Sequence, residues 1–393
     1  MHSFNYHIPT EIVFGKDTEL QTGKLIRKYG GNRVLIVYGG GSVVRSGLLD
    51  RVCKVLEEEG LAYEKLGGVH PNPYLHFAIE GVKKSIEFGA DFILAVGGGS
   101  AIDTAKYIAH GTANPDIDIT RFWTRELKVT KTMPVGVILT ISAAGSEMSD
   151  SAVLTNVETG VKRGLSTVYN RPTFSILNPE LTYTLPRYQI ACGVVDIMMH
   201  TLDRYFCPAP HNHLSDEMAE ALLRTTIYNG PIALENSKDY DAMSELMWCG
   251  SISHNGLTGL GNKTDFAPHQ LGHELSARFD VAHGASLSAI WPAWARHVYK
   301  SDVSRFARYA ANVWGIRGSN EEAAAIAGIH ATEEFFESLG MPINFTTLGV
   351  GLQGEADLRD MAYCCSYKST RTIGAFQVLN EEDMYQIYKA ANC

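Results

Sequence analysis

Apolar residues fall along this chain in two rhythms, and the change from one to the other divides it. In the first half, short runs are apolar at consecutive positions: residues 33–38, 91–96 and 133–139. Strands of a parallel sheet are covered by helices on both faces, so unbroken runs suit them better than alternating ones. Between the runs, residues 46–59 and 74–88 carry helical spacing and end at Gly60 and Gly89, a common helix stop. Strand–helix alternation of this kind predicts a doubly wound, Rossmann-like α/β domain. Residues 152–156 and 161–167 flank Val157-Glu158-Thr159-Gly160 and predict a hairpin. Residues 111–125 read as the longest irregular connection of this half. After Pro186 the strand-like runs stop and helical periodicity takes over, most clearly at 215–228, 321–339 and 381–391. The expectation is an α/β domain over 1–187 and an all-helical domain over 188–393, in keeping with a length too great for one core.

Composition narrows the classes of partner. A net charge of −9 leaves nothing to recruit the chain to nucleic acid or an anionic membrane surface. No run of 18 apolar residues occurs, so no membrane span is expected. The opening MHSFNYHIPTEIVFG lacks a basic and then apolar leader pattern, so cytoplasm is the expected location. Seven cysteines, odd in number and without a CxxC pair, read as free thiols in a reducing compartment. The unusual count is histidine: His254, His269, His273 and His283 fall within thirty residues. A search for a metal begins there.

Two of the buried runs end in the same tetrapeptide, Gly39-Gly40-Gly41-Ser42 and Gly97-Gly98-Gly99-Ser100. Glycines after a buried strand let backbone N–H groups approach a pyrophosphate, and the following helix N-terminus adds partial positive charge. Neither turn completes G-x-G-x-x-G, because Val44 and Ile102 stand at the third glycine position. Tight turns alone account for one such tetrapeptide; two copies favour the nucleotide. Asp103, in the first turn of the second helix, is a candidate cofactor contact, although compensation of the helix dipole alone would explain it. The residue leaving the first run is Gly39 where a carboxylate would bind ribose hydroxyls and repel a 2′-phosphate. With Ser42 and Arg45 nearby, NADP(H) is expected over NAD(H).

The metal candidates come as pairs. Asp196 and His200 are spaced i, i+4, as are His269 and His273, and His283 follows. On a helix such pairs share a face. A carboxylate with imidazoles and no cysteine suits Fe²⁺ or Zn²⁺. Asp196 pairing with Arg204 or capping a helix is the plain alternative. A zinc peptidase would need a general base at position 270, where Gln270 cannot take a proton from water. Spacing leaves all five residues open as ligands.

Taken together, Gly97-Gly98-Gly99-Ser100 with Asp103 and Lys106, Gly145-Ser146-Glu147, Asn178-Pro179-Glu180-Leu181-Thr182, Asp196-x3-His200 and His269-x3-His273-x9-His283-Gly284 resemble the iron-containing (group III) alcohol dehydrogenase family over essentially the whole chain. Tyr38-Gly39-Gly40-Gly41-Ser42, Thr372-Ile373-Gly374 and Glu381-Glu382-Asp383 resemble its butanol dehydrogenase and NADPH-dependent aldehyde reductase branch. The resemblance implies that Asp196, His200, His269 and His283 ligate one divalent metal, while His273 neighbours the nicotinamide. It also implies cofactor contacts at Gly97 to Ser100, Thr140, Lys162 and Leu181. Where many members carry a threonine-rich run, this chain has Thr140-Ile141-Ser142-Ala143-Ala144, so only Thr140 carries over.

The implied reaction is reversible hydride transfer between a nicotinamide and a small aldehyde or alcohol, with metal Lewis acidity at the oxygen. His273, an imidazole, is the candidate proton relay. A homodimer is implied too, with N-terminal pairing through residues 4–13. A glycerol dehydrogenase-like polyol oxidoreductase and a catalytically silent nucleotide-binding structural protein are the alternatives; the four-ligand set speaks against the second.

Overall fold

Six strands form one wholly parallel sheet in the computed structural model, which describes residues 1–208 and 212–393. They are β1 (Glu11–Phe14), β2 (Arg33–Gly39), β3 (Ala62–Val69), β4 (Phe92–Gly97), β5 (Val135–Leu139) and β8 (Phe174–Leu177). The order across the sheet is β1-β8-β5-β4-β2-β3. β6 (Ser151–Asn156) and β7 (Val161–Ser166) make the expected antiparallel hairpin. The helices of this half are α1 (Thr22–Lys28), α2 (Ser42–Arg45), α3 (Leu48–Glu58), α4 (Leu75–Phe88), α5 (Gly99–Ala113) and α6 (Thr120–Trp123).

The apolar runs are central strands because they are covered from both sides. Every residue of β4 and β5 is buried. Val34, Ile36, Leu94 and Val96 face Leu49, Val52 and Leu56 of α3 in one continuous core, whose burial is worth roughly 1.5–3 kcal/mol per large side chain. On α4, Gly81 lets α5 approach so closely that an added Cβ would lie 2.4 Å from Ile108 Cδ1.

Several expectations need correction. The strands β3 and β8 were not expected: β8 is four residues long, and β3 is a largely exposed edge strand. Residues 111–125 are less irregular than expected, since α5 runs to Ala113 and α6 lies within them. The helix expected over 46–59 is shortened by Gly47, whose φ of +73° belongs to the left-handed region, leaving α2 and α3 as separate pieces. Strand structure near the N-terminus is confined to Glu11–Phe14, which pairs with β8 of the same chain.

The chain divides into two compact units, His7–Thr184 and Leu185–Cys393, with Met1–Tyr6 grouped in the second. His2 N–H donates to the Gly261 carbonyl there. The second unit is helical: α7 (Arg187–Tyr205), α8 (His213–Glu235), α9 (Tyr240–His254), α10 (Ala267–Phe279), α11 (His283–Val298), α12 (Val303–Trp314), α13 (Glu321–Ser338), α14 (Phe345–Leu348), α15 (Glu355–Cys365) and α16 (Glu381–Ala391). Among the described residues, no helix is long and apolar enough to cross a membrane.

Candidate metal centre and nucleotide turns

Helix α7 starts directly after Pro186 and is buried along most of its length. Its face at i, i+4 and i+7 carries Asp196, His200 and Asp203. His269 and His273 stand one turn apart on α10, and His283 opens α11. What brings α11 to α7 is Gly284: an added Cβ would sit 2.2 Å from the Cys192 carbonyl oxygen and 2.7 Å from its Cα.

The helices converge on Asp196. One ligand atom each from Asp196, His200 and His269 lies within 4.8 Å of the others, all three buried. His200 Nδ1 is 3.0 Å from Asp196 Oδ1 and 2.9 Å from the Asp196 carbonyl oxygen. His269 Nε2 and His283 Nε2 each lie 3.8 Å from Asp196 Oδ1. The fifth candidate, His273, packs its ring 5.4 Å from that of His283 and 6.4 Å from that of His269.

Electrostatics favour a cation here. Asp196 Oδ1 and His269 Nε2 are buried without a hydrogen-bond partner among the described atoms. Such orphaned groups cost about 1–3 kcal/mol each unless something else engages their lone pairs, and a divalent ion among one carboxylate and three imidazoles does so. Burial opposes the charge of Asp196, but His200 and His283 outweigh it and hold the carboxyl well below its usual range. Burial pushes His200 down. Burial acts likewise on His269, but the Asp203 carboxylate reverses it and leaves that imidazole near 9.

Three residues here lay outside the sequence reading of ligands. Asp203 Oδ2 accepts from His269 Nδ1 at 2.5 Å; its signal was the i+7 position after Asp196. His254, at the end of α9, packs its ring 4.0 Å from that of His200. Phe266, held at a left-handed φ of +58°, sets its ring 5.4 Å from His269. His254 was marked by the histidine clustering but not by helical spacing, and no sequence signal marks Phe266.

In the first unit, both glycine turns sit at the carboxyl ends of neighbouring strands, with Tyr38 of β2 opposite Val96 of β4. The sheet order places them where the chain, having stepped out to β3, returns across β2, the kind of crevice that nucleotides occupy in open parallel sheets. Gly39 closes β2, Gly40 follows, and Gly41 precedes Ser42, the first residue of α2. Gly41 has φ of +114°, and a Cβ there would be 3.2 Å from Arg45 Nη1. Gly97 closes β4 and accepts from Thr140 N–H. Gly98 caps α5, and Gly99 and Ser100 begin it. A Cβ on Gly98 would lie 2.1 Å from Ile141 Cγ2, and one on Gly99 3.3 Å from Ala144 Cβ. The segment replacing the threonine-rich run therefore packs directly over the turn.

Asp103 is occupied by the protein: its oxygens accept from Ser146 Oγ and the Val153 N–H. Burial raises its pKa. Lys106, wholly buried, donates to the carbonyls of Ser146 and Ser151, and burial brings it down to about 8. Lys162 Nζ donates to Asn72 Oδ1 at 2.9 Å. Leu181 packs against the core under β2 and α3.

Family comparison decides what the centre belongs to. The family model for iron-containing alcohol dehydrogenase matches residues 9–179, and that for the C-terminal part of the Fe-containing alcohol dehydrogenase family matches 190–392. This chain belongs to the iron-containing alcohol dehydrogenase family. As a member, the dehydrogenase is an oxidoreductase that uses a nicotinamide cofactor and a metal. It is 41% identical over 391 residues to NADH-dependent butanol dehydrogenase A of Clostridium acetobutylicum, covering 99% of each chain. It is 37% identical over 354 residues to the NADPH-dependent aldehyde reductase YqhD of Escherichia coli, covering 89% of this chain and 90% of that one. Among solved structures, NADH-dependent butanol dehydrogenase A of Thermotoga maritima matches the dehydrogenase with a TM-score of 0.95 at 34% identity, over 100% of this chain and 99% of the other.

Proposed function

We propose that this dehydrogenase reduces small aldehydes of the butanal type and oxidises the matching alcohols, using NADP(H) in preference to NAD(H). The observation that carries the reading is the buried cluster of Asp196 Oδ1 with His200 and His269, beside half-buried His283, in which Asp196 Oδ1 and His269 Nε2 have no hydrogen-bond partner among the described atoms. These four residues would hold one divalent metal. When bound, the metal supplies Lewis acidity toward a carbonyl oxygen and the nicotinamide supplies hydride. His273 moves the proton, accepting or giving it at a ring nitrogen beside His283. The backbone of Gly97 to Ser100, opening onto α5, orients the pyrophosphate, and Gly39, Gly40 and Ser42 leave room for the adenosine end.

The names of the relatives divide on the nucleotide: NADH for butanol dehydrogenases A and B of Clostridium acetobutylicum, NADPH for YqhD. The preference proposed for this chain rests on its own residues: no carboxylate at Gly39, and the Arg45 guanidinium beside the Gly41 turn. Fe²⁺ and Zn²⁺ both suit the donor set. Assembly as a homodimer is part of the proposal, with the terminal strand β1 as the pairing edge; a monomer by light scattering would remove that part.

The test is a screen of aldehydes and polyols with enzyme reconstituted in Fe²⁺, Zn²⁺ or Mn²⁺, comparing kcat/KM for NADPH and NADH. Butanal-dependent NADPH oxidation that needs the metal is expected. Turnover confined to polyols would move the enzyme to a glycerol dehydrogenase-like role, and equal efficiency with NADH would end the nucleotide preference.

A further inference from the structure

The Thr372-Ile373-Gly374 motif has no part in the reaction as described so far, and it lies in a turn far along the chain from every ligand. The structure nevertheless ties it to the metal cluster through two buried carboxylates. His269 has its Nε2 toward Asp196 and its Nδ1 against Asp203 Oδ2. Asp203 is fully buried, and its second oxygen makes no hydrogen bond among the described atoms, so the side chain is directed at His269. The Asp203 main-chain carbonyl in turn accepts the Asp265 N–H at 2.8 Å. The Asp265 carboxylate accepts the Ala267 N–H through Oδ1, and the N–H groups of Ala375 and Phe376 through Oδ2, at 2.7–2.9 Å. It thus pins the start of α10, which carries His269, to residues 374–376. Gly374 is fitted to that junction: its φ is +83°, and a Cβ there would meet the Gln377 carbonyl oxygen at 2.5 Å and Asp265 Oδ2 at 3.2 Å.

We propose that Asp203 is a positioning residue that fixes the ring of His269 for metal binding, and that Asp265 anchors this pair to the turn at Gly374. The proposal rests on the metal reading above. The physical reason is that an imidazole bound to a metal through one nitrogen needs its other nitrogen protonated and its ring held. A buried carboxylate does both, and losing such a partner lowers metal affinity roughly 10- to 100-fold.

The test measures Zn²⁺ affinity by chelator competition, together with thermal unfolding of the metal-free proteins, for Asp203→Ala, Asp203→Asn, Gly374→Ala and His269→Ala. Asp203→Ala is expected to weaken Zn²⁺ binding about 10- to 100-fold. Asp203→Asn, which keeps an acceptor oxygen, should lose less, and Gly374→Ala should weaken binding without touching a ligand. A purely structural role would lower metal-free stability and leave the affinity of the folded fraction unchanged; that result overturns the proposal. If Asp203→Ala fails to fold, parental affinity in both Asp203→Asn and Gly374→Ala overturns it. Parental affinity in His269→Ala would instead sink the ligand assignment itself.

Discussion

Adding one methyl group at Gly284 should damage both the fold and the metal centre, and its size follows from the packing of two helices. A Cβ there would sit 2.2 Å from the Cys192 carbonyl oxygen, with two further backbone atoms of α7 inside 3 Å. Backbone cannot rotate aside as a side chain can, so α11 and α7 must separate by at least about 1.2 Å to restore an ordinary contact. Overpacking of this kind costs about 1–3 kcal/mol, or about 2–4 °C of melting temperature for each kcal/mol in a protein unit of this size. The displaced residue is the neighbour of His283, whose Nε2 stands 3.8 Å from Asp196 Oδ1. Metal sites tolerate only about 0.2 Å in their ligand distances. Gly284→Ala should therefore unfold earlier when metal-free and also lose metal content, read by elemental analysis after dialysis against a weak chelator. A variant with unchanged melting and full metal occupancy would refute the argument, because it would mean that α11 does not depend on this contact to deliver His283.

Other consequences can be checked independently. Asp196→Ala or His269→Ala should abolish metal retention and turnover together, whereas His273→Ala should keep its metal while kcat falls about 100-fold or more. Arg45→Ala should raise KM for NADPH about tenfold through loss of a charged hydrogen bond and leave KM for NADH nearly unchanged. Lys106→Met should cost about 3 kcal/mol by stranding the acceptors that the buried ammonium satisfies. The pH dependence has a definite sign: with Lys106 at about 8 when folded and 10.5 ordinarily, the folded state holds fewer protons between those values. The lysine's contribution therefore rises with pH across that window, and urea midpoints of the methionine variant should lack that rise.

Much of the sheet was legible because its central strands are apolar on both faces and long enough to stand out. The N-terminal strand proved shorter than residues 4–13, and the missing strands fail one condition or the other. β3 exposes most of its residues at a sheet edge, while β8 offers four residues. Gly47 broke a helix that periodicity alone would have continued. At the metal cluster, spacing on α7 and α10 gave the ligand candidates, but it could not show that α11 reaches α7 only because position 284 has no side chain. Nor could it show that Asp103 is bonded to Ser146 and Val153, since a carboxylate in the first turn of a helix looks the same whether it faces a ligand or a loop. Asp203 stood at a readable helical interval and went unread, because a carboxylate matters there only once its partner on α10 is known.

The order of the ligand candidates along the chain has a mechanical consequence. Asp196 and His200 are neighbours, but His269 and His283 return to them only after some seventy and eighty intervening residues, through α8 and α9. An ion joining all four closes that span as a covalent cross-link would, and closure of a loop of this order withdraws roughly 4 kcal/mol of chain entropy from the unfolded ensemble. Loading and unfolding are then two views of one equilibrium. Protein stripped of its ion should open first around α10 and α11, making those helices the earliest targets of a protease.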